Sequence, residues 1–166
     1  MSKQQDHKII NIGVIGAGGR MGRMLIEAVQ NNPQTTLIAA IERQGSSLVG
    51  ADAGEVAAIG NLDVKIVDDL VSVIGNIDVL IDFSLPEATA QNMQTCAEHK
   101  VAMVIGTTGF NEQQEQVLTE ASTHIPIVYA GNYSTGVNLS LKLLAMAAKA
   151  FGNDADVEVI EAHHKH

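Results

Sequence analysis

Cysteine is nearly missing from this chain: there is one, Cys96. A single thiol excludes an intramolecular disulfide framework and fits a reducing, cytoplasmic setting. It lies among Met93 and Ala97 in a helix-like segment, and reads as buried filler rather than as a nucleophile. Positive charge is scarce too. Ten Lys and Arg stand against 19 Asp and Glu, a net charge of −9, which argues against a general nucleic-acid or polyanion surface. Any phosphate site must therefore be local, built from backbone amides and one or two arginines. No apolar run approaches the ~18 residues of a membrane span. The polar stretch Met1 to Lys8 lacks the apolar core of a signal peptide. Repeats and low-complexity tracts are absent. What remains, 46% hydrophobic and 17% charged over 166 residues, has the size and balance of one α/β domain, or of one domain plus a fragment.

The most informative stretch is Ile9 to Gly22. A β-branched apolar run turns on Gly16, Gly18 and Gly19, and Met21, Met24, Leu25, Ala28 and Val29 then recur at helical spacing. Strand, glycine turn and helix start make the first half of a βαβ unit. Without Cβ atoms such a turn presses its backbone against a diphosphate, and the helix N-terminus supplies N–H groups and a positive dipole end. Gly22 lets the helix pack closely. The strict G-x-G-x-x-G spacing is not met, since the third glycine comes one residue late, and a plain strand–helix turn is the alternative.

A second strand, Thr36 to Ile41, ends in Glu42-Arg43, about 20 residues beyond Gly22, where a dinucleotide fold places its ribose reader. A carboxylate there accepts the ribose hydroxyls and favours NAD. The neighbouring guanidinium suits a 2′-phosphate and admits NADP. A solvated strand-end charge pair is the plainer reading. Gly45 to Asn61, rich in glycine, reads as a long mobile loop. Val64 to Val67 is a short strand, and Asp68 is placed to cap a short helix closing at Gly75. Asp78 to Phe83 and Val101 to Ile105 are apolar runs of the kind buried on both faces of a parallel sheet. Between them Pro86 starts a helix running to about His99. Asn111 caps a helix to about Thr123, and Ile125 to Tyr129 is a further strand. The alternation predicts a doubly wound parallel α/β sheet. Its polar and glycine-rich segments at 16–22, 42–43, 83–84, 106–109 and 130–133 all fall at the carboxyl ends of strands, where ligands of such sheets bind.

Gly136 to Gly152 reads as a long helix with a packing stripe of Val137, Leu141, Leu144, Ala148 and Phe151. Asp156 to Ala162 alternates as a strand and leads into Glu161-Ala162-His163-His164-Lys165-His166. Three readings of these histidines stay open: part of a purification tag, a metal site, or proton transfer beside a nicotinamide. Adjacent strand residues point to opposite faces and no partner stands at a ligand spacing, which weighs against metal. An imidazole's ordinary pKa suits proton transfer near neutral pH.

Gly-Ala-Gly-Gly-Arg-Met-Gly at 16–22, Glu42-Arg43, Gly-Thr-Thr-Gly-Phe at 106–110, Asn132-Tyr133-Ser134 and Glu-Ala-His-His at 161–164 occur together and in order. In these motifs the chain closely resembles the bacterial 4-hydroxy-tetrahydrodipicolinate reductase (dihydrodipicolinate reductase) family of diaminopimelate and lysine biosynthesis, over essentially its whole length. The resemblance implies a Rossmann-like domain at 1–134, followed at 135–166 by the first helix and strand of an α+β substrate-binding and tetramerisation domain. It implies NADH or NADPH as cofactor, a small cyclic dicarboxylate as substrate, and a homotetramer for the full-length protein, with no nucleic-acid or membrane partner and no metal. Gly16, Ala17, Gly18, Gly19, Arg20 and Met21 then hold the diphosphate, Glu42 the ribose and Arg43 the 2′-phosphate. Gly106, Thr107, Thr108, Ala130, Gly131, Asn132 and Tyr133 line the nicotinamide end. His163 is the proton donor or acceptor and His164 a substrate contact. The chemistry agrees: hydride reaching carbon leaves negative charge that moves toward a ring nitrogen, and a positioned acid must quench it.

Gly131 stands where the family commonly has Ala, and Tyr133 where Phe is common. The family's lysine donor one residue past position 166, its substrate-clamping Asp-Ala-Pro-Ser-Gly-Thr loop and its remaining substrate-domain strands are not in this sequence. The expectation is that a chain ending here binds cofactor weakly or not at all, does not turn over, and associates through an unpaired strand at 156–164. Lys165 is the candidate replacement for the missing lysine. Two alternatives are a nucleotide-sensing domain without catalysis and another two-domain dehydrogenase; neither has a use for the 161–164 segment.

Overall fold

Six strands, all parallel, form one sheet: β1 (Ile10–Ile15), β2 (Thr35–Ile41), β3 (Ile66–Val67), β4 (Val79–Asp82), β5 (Ala102–Ile105) and β6 (Ile127–Tyr129). Their spatial order is β3-β2-β1-β4-β5-β6. The structure, a computed structural model, describes residues 8–154 together with 156, 158 and 160. Helices α1 (Arg20–Asn31), α2 (Ala53–Val56), α3 (Pro86–His99), α4 (Glu112–Ser122) and α5 (Thr135–Phe151) complete the described elements, with short 3-10 turns at Ile74–Asn76 and Gly152–Asp154. Two compact units divide the chain, one ending at Gly131 and the other beginning at Asn132. No described helix is long and apolar enough to cross a membrane.

In the first unit both sheet faces are covered, which is why its strands read as unbroken apolar runs. Val14, Ile12, Leu37 and Ala40 pack with Ile26 and Val29 of α1 on one side. Ile15, Leu80, Met103 and Ile105 pack with Met93 and Cys96 of α3 and Ala121 of α4 on the other. Cys96 is fully buried. Burial first, and the Asp82 charge second, push its thiol up to about 12, as befits a residue used for packing.

Helix starts follow the sequence signals. Pro86 occupies the first turn of α3. Asn111 and Gln114 form a capping box on α4, each side chain accepting from the other's backbone amide. Three expectations change. The inward face of α1 is Gly22, Ile26 and Val29, while Met21 and Met24 are exposed. The helix phase is set by Gly22, because a Cβ there would meet the carbonyl oxygen of Gly16 and the Cα of Ala17. The helix expected between β3 and β4 is a turn followed by a single 3-10 turn. Asp69 Oδ1 accepts from the Val71 amide at 3.0 Å and the Ser72 hydroxyl donates to the Asp69 carbonyl at 2.7 Å, local bonds that compete with a helix. Finally, the segment 45–61 is tied down rather than loose. Asp52 caps α2, its Oδ1 accepting from the amides of Gly54, Glu55 and Leu62 at 2.9–3.1 Å and its Oδ2 from Val64 at 3.1 Å.

In the second unit, the Ser134 hydroxyl caps α5 by accepting from the Val137 amide at 3.3 Å. Asn138 Nδ2 donates to the carbonyls of Asn132 and Ser134. Among the described residues of this unit nothing covers the apolar stripe of α5. Of the strand expected at 156–162, Asp156, Glu158 and Ile160 are described and are not in a strand; the other residues lie outside those described.

Candidate cofactor site

The strands are parallel, so their carboxyl ends share one edge of the sheet, and the strand order reverses between β1 and β4. That reversal opens the crevice in which doubly wound sheets take their ligands. On the β1–β2 side the glycine turn is tightly bonded. The amides of Gly16 and Ala17 both donate to the Ile41 carbonyl, at 2.8 and 3.1 Å, and that of Gly19 donates to the Gly16 carbonyl at 3.0 Å. Gly16 takes φ +70°, a conformation that favours glycine. The amide of Gly18 donates to Glu42 Oε1 at 2.8 Å. A side chain on Gly18 would collide with Leu48 and press on that same carboxylate, so the missing Cβ lets Glu42 reach the turn.

With the amides of residues 16 to 19 engaged, the donors left for an anion are those of Arg20, Met21 and Gly22. They form the first turn of α1 and have no acceptor among the described residues. Three N–H groups without an acceptor and a helix dipole of 12 residues behind them fit a diphosphate. Ala17 is fully buried and shapes the turn through its backbone. Arg20 and Arg43 are exposed beside the turn and at the β2 tip.

On the β4–β5 side the carboxyl ends carry a polar network that sequence reasoning missed. Asp82, the last residue of β4, is fully buried. Its Oδ1 accepts from the Ser84 amide at 2.9 Å and the Ser84 hydroxyl at 2.6 Å, and its Oδ2 from Asn92 Nδ2 at 2.8 Å. Buried Thr89 and Thr107 share a hydroxyl hydrogen bond of 2.8 Å. Thr107 is thus engaged through its hydroxyl, whereas Thr108 is exposed. Gly106 lacks a Cβ where the Phe83 ring lies. The readable signal was Asp-x-Ser at a strand end, since an Asp side chain commonly bonds the backbone two residues on. Thr89 and Asn92, on α3, carried none.

Ala130 and Gly131 close the first unit at the β6 tip, the Ala130 amide donating to the Ile105 carbonyl at 3.3 Å. A Cβ on Gly131 would make ordinary contact, 3.7 Å, with Thr108 Cγ2, so the common Ala fits. Asn132 and Tyr133 open the second unit, where Asn132 Oδ1 accepts from the Ser134 amide at 2.7 Å. His163 and His164 lie outside the described residues, as do Glu161 and Lys165.

This strand order, with a glycine turn, an open helix N-terminus and an acidic β2 tip bonded to the turn, defines a dinucleotide-binding Rossmann domain. Residues 10–133 match the family described as dihydrodipicolinate reductase, N-terminus, and the chain belongs to that family. It is 81% identical over its whole length to the 4-hydroxy-tetrahydrodipicolinate reductase of Psychrobacter arcticus, covering 60% of that protein. To the Acinetobacter baumannii (strain ATCC 17978) protein of the same name it is 59% identical over 93% of this chain and 56% of the relative. Among solved structures, the dipicolinate-bound dihydrodipicolinate reductase from Paenisporosarcina sp. TG-14 superposes with a TM-score of 0.68 at 26% identity, over 84% of this chain and 54% of that one. The chain thus spans a little over half the length of the relatives it matches.

Proposed function

We propose that this chain is the cofactor-binding part of an NADH- or NADPH-dependent reductase that converts 4-hydroxy-tetrahydrodipicolinate to tetrahydrodipicolinate, a step of diaminopimelate and lysine biosynthesis in the cytoplasm. The observation that carries the reading is the 2.8 Å bond from the Gly18 amide to Glu42 Oε1. It holds a carboxylate beside the diphosphate turn, where the adenosine ribose of a dinucleotide lies. The names of the relatives supply the substrate.

The first-turn amides of Arg20, Met21 and Gly22 take the diphosphate, with Gly16 to Gly19 shaping the turn. Glu42 accepts the ribose hydroxyls and Arg43 pairs with a 2′-phosphate where one is present. Gly106, Thr107, Thr108, Ala130 and Gly131 receive the nicotinamide end. When bound, the reduced nicotinamide supplies the hydride. His163 moves the proton and His164 contacts the dicarboxylate, both by resemblance to the family. Residues 1–134 form the cofactor domain, and 135–166 begin the substrate and tetramer domain.

Titration with NADH and NADPH, read by nicotinamide fluorescence, tests this. Saturable binding with a Kd below about 1 mM, competed by ADP, is expected of the full-length relative, with weaker binding by this chain. Absence of binding by the full-length relative and by this chain alike overturns it.

A further inference from the structure

Asp82 has no part in the function proposed above, yet it is fully buried at the strand end beside the crevice. Burying a carboxylate is costly unless donors surround it, and a hydrophobic residue in its place is often neutral or stabilising. What this one achieves is local. Its two oxygens collect three donors from Ser84 and Asn92, which pins the turn leaving β4. Its main-chain carbonyl accepts from the Gly106 amide at 2.9 Å, which pins the start of the loop leaving β5.

The two segments are also linked side chain to side chain. The Ser84 hydroxyl gives its proton to Asp82 at 2.6 Å. The Thr89 hydroxyl shares a hydrogen bond of 2.8 Å with the Thr107 hydroxyl and a longer one of 3.4 Å with that of Ser84, and the Thr107 hydroxyl makes a long contact of 3.5 Å with the Ser84 carbonyl. Thr89 is itself fully buried.

We propose that Asp82 is a positioning residue for the nicotinamide half of the bound dinucleotide: acting through Ser84, Thr89 and Thr107, it holds the 83–84 and 106–108 segments at the spacing that receives the nicotinamide riboside, without touching the cofactor. This rests on the dinucleotide reading above. The adenosine and diphosphate contacts, at the tips of β1 and β2, do not depend on it.

The test compares NADH with ADP, which lacks the nicotinamide riboside, by calorimetric titration of the full chain. In Asp82→Ala the Kd for NADH should rise about tenfold, and in Thr89→Val about threefold, while the Kd for ADP stays within about twofold of wild type in both. Asp82→Asn should restore most of the NADH affinity, because Asn92 can turn its amide over and keep the bonds. Equal losses for NADH and ADP, or no loss of NADH affinity, overturn the proposal. If neither wild type nor the full-length relative binds either nucleotide, the dinucleotide reading itself fails. Should Asp82→Ala not fold, Thr89→Val, which removes one buried hydroxyl and keeps the side-chain shape, decides the matter alone.

Discussion

The Gly18 amide donates to Glu42 Oε1 across 2.8 Å, joining two residues 24 positions apart in the chain. A Cβ on the glycine would displace the Leu48 side chain and lie 3.1 Å from the carboxylate oxygen, and the amide bond holds the carboxylate at the turn. Arg43 follows it in exposed backbone at the same tip. Replacing Arg43 with Ala should weaken NADPH by about tenfold or more, the value of a charge-assisted hydrogen bond, and leave NADH within about twofold. Glu42→Ala should do the reverse, losing more NADH than NADPH affinity. Paired fluorescence titrations read both.

Gly22→Ala should destabilise the fold by about 1–3 kcal/mol, the usual cost of overpacking. The new Cβ meets backbone atoms of Gly16 and Ala17, which cannot swing aside as a side chain can. Urea denaturation with an unchanged slope and a lower midpoint is the expected result. Gly131→Ala, by contrast, finds only ordinary contact with Thr108 and should be neutral or stabilising by up to about 1 kcal/mol.

Asp52 makes stability depend on acid. Partial burial of its carboxyl raises the pKa, but the amides of Leu62, Glu55, Gly54 and Val64 together outweigh that and hold it below its ordinary 3.8. A carboxylate with a depressed native pKa contributes its stability above the unfolded value and loses it as pH falls through the native one. The chain should therefore lose stability below about pH 4, and Asp52→Asn should flatten that part of the profile while lowering stability at pH 7. Thermal melts from pH 7 to pH 3 measure both effects.

Cys96 responds to alkali. Its thiol, pushed from 9.0 to about 12 by burial first and by Asp82 second, stays protonated in the native chain at pH 9–10. The unfolded thiol ionises there, so stability should fall as pH rises past about 9. At pH 8 a thiol reagent should react with it only at the rate of unfolding, which stopped-flow labelling with and without denaturant resolves.

Much of the fold could be read from the sequence because it rests on local pattern: apolar strands, Pro86 and Asn111 at helix starts, glycines at the β1 tip. The site's adenosine side was readable for the same reason, as Gly18 and Glu42 each mark a strand end. What escaped depends on contacts between distant segments. The inward face of α1 is set by Gly22 against the turn rather than by its methionines. Asp52 orders a glycine-rich segment by reaching amides up to 12 residues ahead. Asp82 sits in what reads as an apolar strand, and its partner Asn92 is a full helix turn and more into α3.

The most direct measurement is an amide chemical-shift map of the labelled chain as NADH is added. The largest shifts are expected at Arg20, Met21, Gly22 and Glu42, with a second group at Gly106 to Thr108. Shifts confined to other surfaces, such as the α3–α4 side around Lys100 and His124, would contradict the dinucleotide reading.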